Sequence, residues 1–528
     1  MKLYIYQAAI GLALVASVFT SCEKKLDLTP LNDVTSEVVY SNATGYKQSL
    51  AKVYGSFALT GNSGPTGTPD VVGLDEGSNG DFYRTFWKAQ QLSTDEAVIA
   101  WGDIGVQDFH NMNWNAENPF LQGLYYKSIY QITLVNEFLR QSTDEKLSSR
   151  SISGADATEI KAYRAEVRFL RAFQYWVLMD VFGNPPLVTE ADLIGGPLPK
   201  QISRAELFTY IETELIAIEA ELPATKSADY YGRVNKFAAQ ALLARIYLNA
   251  QVYSGTAKNA EAVTYAKKVI DGGYSLMPNY RNLLLNDNGI GNKESIMTIN
   301  YDGAKTQLFG GTTFLAHASV GGSMSAADYG LDFGWGGLRT TKSLVNLFPN
   351  SDGSTDKRAN FYTSGQSLEI NSLTTFTDGY AVSKYQNLTS TGVKGANATF
   401  VDADIPLFRL AEMYLIYSEA TLRGGAGNNA LALTYFNNLR ARAYGNASGN
   451  VAALTLDLIL DERARELYWE GHRRTDLVRY GRFTTDTYLW PWKGGVKAGK
   501  SVEAFRNLYP LPSPDVASNP NLKQNTGY

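Results

Sequence analysis

Apolar residues recur at helical spacing in paired segments of this chain, and that pairing constrains its fold more than any other feature. A capping box, Ser203 with Glu206, opens one segment in which Leu207, Ile211, Leu215, Ile218 and Leu222 share a face until Pro223 ends it. Arg164 to Phe182 behaves likewise through Val167, Leu170, Phe173 and Val177, and stops at Gly183-Asn184-Pro185-Pro186. Two pairs have short connections: Lys236 to Tyr253 with Ala260 to Ile270, and Phe408 to Arg423 with Ala430 to Tyr444 across Gly424-Gly425-Ala426-Gly427. Alanines among bulky residues, as in Ala238, Ala241 and Ala244 beside Leu242 and Tyr247, let two helices approach closely. Each apolar stripe needs a partner to cover it. A mainly α fold of tetratricopeptide-like helix pairs is expected.

Helical repeats are expected over about 41–58, 119–273 and 406–483. Between them, 60–118 and 274–405 are rich in Gly, Ser, Thr, Asn and Asp interspersed with aromatics, and runs such as Ser295 to Tyr301 suggest a few short strands. Long irregular insertions in a compact protein usually carry function, so the scaffold is expected to bear a loop-built face. Aromatics are generous, with 8 Trp, 33 Tyr and 23 Phe, and they supply candidates for that face. The 48 basic and 52 acidic side chains leave a net charge of -4, which provides no field to condense on phosphates, so nucleic acid is not an expected partner.

Met1-Lys2 followed by the apolar run Ile5 to Phe19 is too short to span a bilayer as a helix and reads as a signal peptide over 1–21. The run ends in Val18-Phe19-Thr20-Ser21-Cys22, which looks like a lipobox with Phe19 in place of the usual Leu. Cys22 is the chain's one cysteine, so it has no intramolecular disulfide partner and is expected to be the lipid attachment. Residues 22–40 then serve as lipidated N-terminus and tether, and 41–528 as the folded domain.

Several motifs do not support catalysis. Gly494 to Ser501 matches G-x-x-x-x-G-K-[ST] letter for letter, but Pro491 interrupts the feeding segment and too few residues follow before Pro510 for a substantial helix. Asp75-Glu76 and Asp95-Glu96 are carboxylate pairs with nothing to single out a raised acid. His110, His317 and His472 are scattered. The charges from Asp461 through Glu470 to Asp476 alternate at offsets of three and four, as on a salt-bridged surface helix. No catalytic constellation emerges and no enzyme is expected. No D-x-[DN]-x-[DN]-G series appears, so neither a metal site nor a cofactor is expected, with a structural calcium ion left open by the acidic loops.

Five segments together carry a resemblance. They are Arg168-Phe-Leu-Arg-Ala-Phe-Gln-Tyr-Trp with Phe182-Gly-Asn-Pro-Pro, Gly232-Arg-Val-Asn-Lys with Ala241-Leu-Leu-Ala-Arg, Ile405-Pro-Leu-Phe-Arg-Leu-Ala-Glu-Met-Tyr, Glu462-Arg-Ala-Arg-Glu-Leu-Tyr-Trp-Glu-Gly-His-Arg-Arg-Thr-Asp, and Tyr509-Pro-Leu-Pro with Asn519-Pro-Asn-Leu. The chain resembles the SusD/RagB family of outer-membrane glycan-binding lipoproteins. It is especially similar to the starch-binding member, through Asp75-Glu76-Gly77, Phe82-Tyr83-Arg84-Thr85, Phe309-Gly310-Gly311-Thr312-Thr313 and Leu489-Trp490-Pro491-Trp492-Lys493.

The resemblance implies four tetratricopeptide-like helix pairs with an irregular sugar-binding subdomain, anchored by lipid at the cell surface of the outer membrane. It also implies a TonB-dependent, SusC-like transporter as partner, and an oligosaccharide ligand, starch or another α-glucan, held by an arc of three rings. Matching local motifs places the rings at Trp101, Phe314 and Trp335 and the assisting arginine at Arg84. The position of a helping amide falls near Asp103-Ile104, where this chain has a carboxylate. Stacking rings with a few polar groups suit the apolar faces and polar edges of sugars. Two alternatives remain: an adaptor or lid with little glycan affinity of its own, or a binder of a different glycan.

Overall fold

The computed structural model describes residues 35–528 apart from Thr66 and Glu76. The signal peptide, Cys22, most of the tether and Glu76 of the Asp75-Glu76-Gly77 motif therefore lie outside the described residues. The helices that build the scaffold are α1 (Ala43–Ala58), α2 (Phe82–Gln91), α3 (Pro119–Gln141), α4 (Gly154–Val181), α5 (Arg204–Glu219), α6 (Lys236–Leu248), α7 (Asn259–Ile270), α8 (Gly311–Ala318), α9 (Leu410–Leu422), α10 (Asn429–Tyr444), α11 (Leu456–Leu467) and α12 (Arg473–Arg479). The strands are β1 (Val98–Ile99), β2 (Ser295–Ile299), β3 (Leu338–Arg339), β4 (Phe361–Tyr362), β5 (Ala381–Val382) and β6 (Ile405–Arg409), in three antiparallel pairs, β1 with β3, β2 with β6 and β4 with β5. The chain is mainly helical, as its periodicity predicts.

Local chemistry explains where the helices begin. The capping box forms at α5: the Ser203 hydroxyl accepts from Glu206 N, and the Glu206 carboxylate accepts from Ser203 N. Leu207, Ile211, Leu215 and Ile218 are buried along its inner face. Asn118 caps α3 by accepting from Phe120 N and Leu121 N, with Pro119 at the first helical position, where its missing N–H costs nothing. Successive helices are neighbours, α3 on α4, α4 on α5, α5 on α6, α6 on α7, α7 on α9 and α9 on α10, an order that suits stacked helix pairs.

Two readings of the sequence are corrected. The stretch 60–118 contains a ten-residue helix, α2, with every residue buried. Gly and polar residues on either side mask it in composition, and it packs against α3 and α12 as part of the core. The charged run from Asp461 to Asp476 is not a solvated helix face. Glu462 and Glu466 lie one turn apart on α11, fully buried, and Arg358 donates to both at 2.7 and 3.0 Å. Arg409, at the end of β6, donates to Glu294 at 2.9 Å, Glu466 at 2.6 Å and Glu470 at 2.7 Å. Arg473 on α12 grips Asp95 through two bonds of 2.7 and 2.6 Å. These arginines and carboxylates join the scaffold to the loop-rich stretches. Offsets of three and four are blind to this because the partners come from distant parts of the chain.

The Gly494 to Ser501 motif is a loop, as expected from its flanks. No α-helix leaves it, only the single 3-10 turn Ala504–Asn507, and the buried lysine is Lys493, whose ammonium donates to the carbonyls of Arg482, Thr485 and Tyr488.

Candidate functional site

The site is assembled where α2, β1, α8 and the segment before β3 meet. Asp81 caps α2, its Oδ1 accepting from Arg84 N at 2.6 Å and from Gly311 N at 3.1 Å, so one carboxylate ties the starts of α2 and α8 together. Gly310 and Gly311 permit that approach, since a Cβ would fall 2.1 Å from the Asp81 carboxyl carbon at Gly310 and 2.3 Å from the Tyr301 ring at Gly311, where φ is also +51°. β1 pairs with β3, and Ala100 N donates to Gly337 O at 2.9 Å. His110 Nε2 accepts from Ile99 N at 3.1 Å, and burial together with Arg339 holds its pKa down at about 3, so the ring is neutral and able to accept.

These supports place Trp101 beside Trp335. The two half-buried rings lie 6.2 Å apart at 42°, and the Trp101 indole N–H donates to Trp335 O at 3.2 Å. Gln107 donates its amide to Ile99 O and Trp101 O at 3.0 and 2.7 Å, which fixes the backbone under the first ring. The second ring rests on His317, stacked at 4.8 Å and 25°. Gly337 lies flat on Trp101, where a Cβ would come within 2.5 Å of the indole. Backbone bonds from Trp335, Gly336 and Gly337 to the carbonyls of His317, Val320 and Ala318, each 2.8 Å, dock the loop on the end of α8. The loop thereby acquires a rigid base.

Arg84 reaches the same place from α2. Its Nη1 donates to Phe309 O at 2.9 Å and to Gly77 O, and its guanidinium lies 5.6 Å from the Trp101 ring centroid. Burial lowers its pKa to about 10, with Asp81, Asp103 and Asp75 acting in the opposite sense, so it remains charged near neutrality. Nη2 has no partner among the described residues. Asp103 is exposed on the turn after Trp101. Arg84, Trp101, Asp103 and Trp335 therefore share one locality.

Phe314 does not present a ring. It is 0% exposed, fourth in α8 and turned inward, with Trp87 at 5.6 Å and the Arg84 guanidinium 4.6 Å from its centroid. It supports the arginine from below. A third accessible ring near the pair is Phe309, half-buried, 6.2 Å from Trp335 and 5.5 Å from Phe400. It stands immediately before the Gly-Gly-Thr-Thr run, but no local pattern in the sequence marks it as accessible. Helix α8 decides between the two phenylalanines: every residue from Gly311 to Ala318 is buried, and Phe309 precedes the helix. Among the described residues no group of three or more His, Cys, Asp or Glu side chains is placed to hold a metal ion, and no helix is long and apolar enough to cross a membrane.

A sequence profile described as the SusD family matches residues 355–528, and one described as starch-binding associating with outer membrane matches residues 70–248. The chain is 35% identical to the starch-binding protein SusD of Bacteroides thetaiotaomicron, over 99% of this chain and 98% of that protein. The chain belongs to the SusD family. Solved SusD-fold structures agree: surface glycan-binding protein A from Bacteroides fluxus superposes with a TM-score of 0.71 at 22% identity, covering 92% of this chain and 100% of that one. The Bacteroides thetaiotaomicron protein of that name, in complex with laminarihexaose, gives 0.67 at 21% identity, covering 91% and 99%. At such identities the likeness establishes the SusD fold alone.

Proposed function

We propose that this SusD-family protein binds an α-glucan on the paired rings of Trp101 and Trp335 and passes it to a TonB-dependent, SusC-like transporter in the outer membrane. The observation that carries the reading is the ring pair itself, two half-exposed indoles on a rigid base beside the free edge of a charged arginine. Sugar C–H faces stack on such rings, while Arg84 Nη2 and the Asp103 carboxylate offer a donor and an acceptor to hydroxyls at the sugar edge. The 42° between the ring planes suits a chain that turns from one sugar to the next, rather than a flat ribbon. Kinship with the starch-binding protein SusD favours starch as the source of that chain. The reading requires no cofactor and no catalytic group. Anchoring through acylated Cys22 would hold the protein at the cell surface, and the profile described as associating with outer membrane supports that location.

Calorimetry with maltoheptaose, laminarihexaose and cellohexaose tests this reading. Wild-type protein is expected to bind maltoheptaose most tightly. The Trp101→Ala, Trp335→Ala double variant is expected to remain folded, with a thermal midpoint lowered by the lost packing, and to lose binding by at least about a hundredfold, each lost stack removing on the order of 1 kcal/mol beyond its buried area. Equal binding by the variant would remove the ring pair from the function.

A further inference from the structure

A second concave surface lies away from the ring pair, between α1, β2 and the turn before α6. It consists of a cavity of about 610 Å³ and another of about 390 Å³, which share Tyr231, Gly232, Met297 and Thr298 as walls. Four partly exposed tyrosines line it: Tyr54, Tyr230, Tyr231 and Tyr274.

Each of these rings is held in place. Tyr54 OH donates to Glu166 at 2.5 Å, and Tyr231 OH donates to Asp404 at 2.6 Å. Tyr274 OH accepts from Asn235 at 3.3 Å, and its ring meets Phe237 edge-on at 5.5 Å. Arg233, paired with Glu166, sits 4.8 Å from the centroid of Tyr230. Rings fixed in this way lose little entropy when a ligand stacks on them. The exposed side-chain amide nitrogen of Asn300 and the hydroxyl of exposed Ser275 have no hydrogen-bond partner among the described residues. Rigid aromatic walls with a few unengaged polar groups form the pattern that takes a sugar segment.

The cleft is also close to the ring pair along the chain. Thr306 lines the smaller cavity, and Phe309, beside Trp335, follows three residues later, a Cα separation of at most about 11 Å. We propose that this tyrosine cleft is a second glucan subsite, occupied by the continuation of the chain whose other end lies on Trp101 and Trp335. This proposal rests on the glucan-binding reading of the ring pair. A short oligosaccharide would use the rings alone, and a longer one would bridge both.

The test compares maltotriose with amylopectin on full-length protein, using calorimetry for the first and affinity electrophoresis for the second. Tyr230→Ala removes one wall, and Ser275→Trp fills the larger cavity from an exposed position where the fold tolerates it. Both variants are expected to bind maltotriose as wild type does and to bind amylopectin about tenfold more weakly, the size of one lost aromatic contact. Unchanged amylopectin affinity in both, with binding still abolished by the Trp101→Ala, Trp335→Ala variant, overturns the second subsite and leaves the ring pair standing. Failure of the wild type to bind either sugar overturns both.

Discussion

Phe309 and Phe314, five positions apart, show how a residue's role depends on which side of a helix start it occupies. Phe314 is enclosed by Trp87, Trp101 and Arg84, so Phe314→Ala is expected to destabilise the fold by about 3–5 kcal/mol, read as a shift of the denaturant midpoint. Phe309 is partly exposed beside Trp335, and Phe309→Ala is expected to weaken glucan binding several-fold with a stability change under about 1 kcal/mol. The opposite pattern would return Phe314 to the sugar face. The sequence shows both phenylalanines and the Gly-Gly-Thr-Thr run between them, but burial depends on Trp87, which comes from an element that composition does not reveal.

At the scale of elements, the site depends on the two-residue strand β1 and on the neutral imidazole that accepts its N–H. His110→Ala leaves Ile99 N without an acceptor in a buried position, at an expected cost of about 1–3 kcal/mol and with slackening of the Trp101 ring. Because folding lowers the His110 pKa from 6.5 to about 3, the unfolded chain takes up a proton that the folded one refuses. Its stabilisation is complete above pH 6.5 and is lost as pH falls toward 3, so near-ultraviolet circular dichroism of the tryptophans should decay over that range. A decay of the same size in His110→Ala would show that another group is responsible. The long amphipathic helices are legible because a stripe repeating every 3.6 residues survives any context. β1 is too short to carry a period, and it forms because β3 and His110 provide its partners.

The whole molecule is held by arginine–carboxylate contacts that join the helical scaffold to the loop-rich face. Arg358, Arg440 and Arg465 surround Glu462 and draw its pKa down from 4.5 to about 2 against the effect of burial, and Arg442, Arg409 and Arg358 hold Glu466 lower still. Groups whose pKa falls on folding contribute fully above their unfolded value. Stability should therefore decline as pH drops from about 4.5 toward 2. Glu462→Gln removes the one carboxylate paired with Arg440 and Arg465 among the described residues, while Arg358 keeps Asp356 and Glu466, and it is expected to cost about 3–5 kcal/mol at pH 7, with a shallower decline below pH 4.5; urea midpoints measured from pH 7 to pH 3 check both. A variant as stable as wild type at pH 7 would mean that water, not the carboxylate, compensates those arginines.

The helical scaffold and the likeness to the family are legible in the chain alone, because periodicity, capping chemistry and local motifs are properties of short stretches of chain. Only the tertiary structure decided which phenylalanine faces outward, that the charged run is core, and that Arg84 comes within 5.6 Å of Trp101. Exposure and charge pairing depend on contacts between residues far apart in the chain, and a pattern within one segment carries no record of what the rest of the fold brings against it.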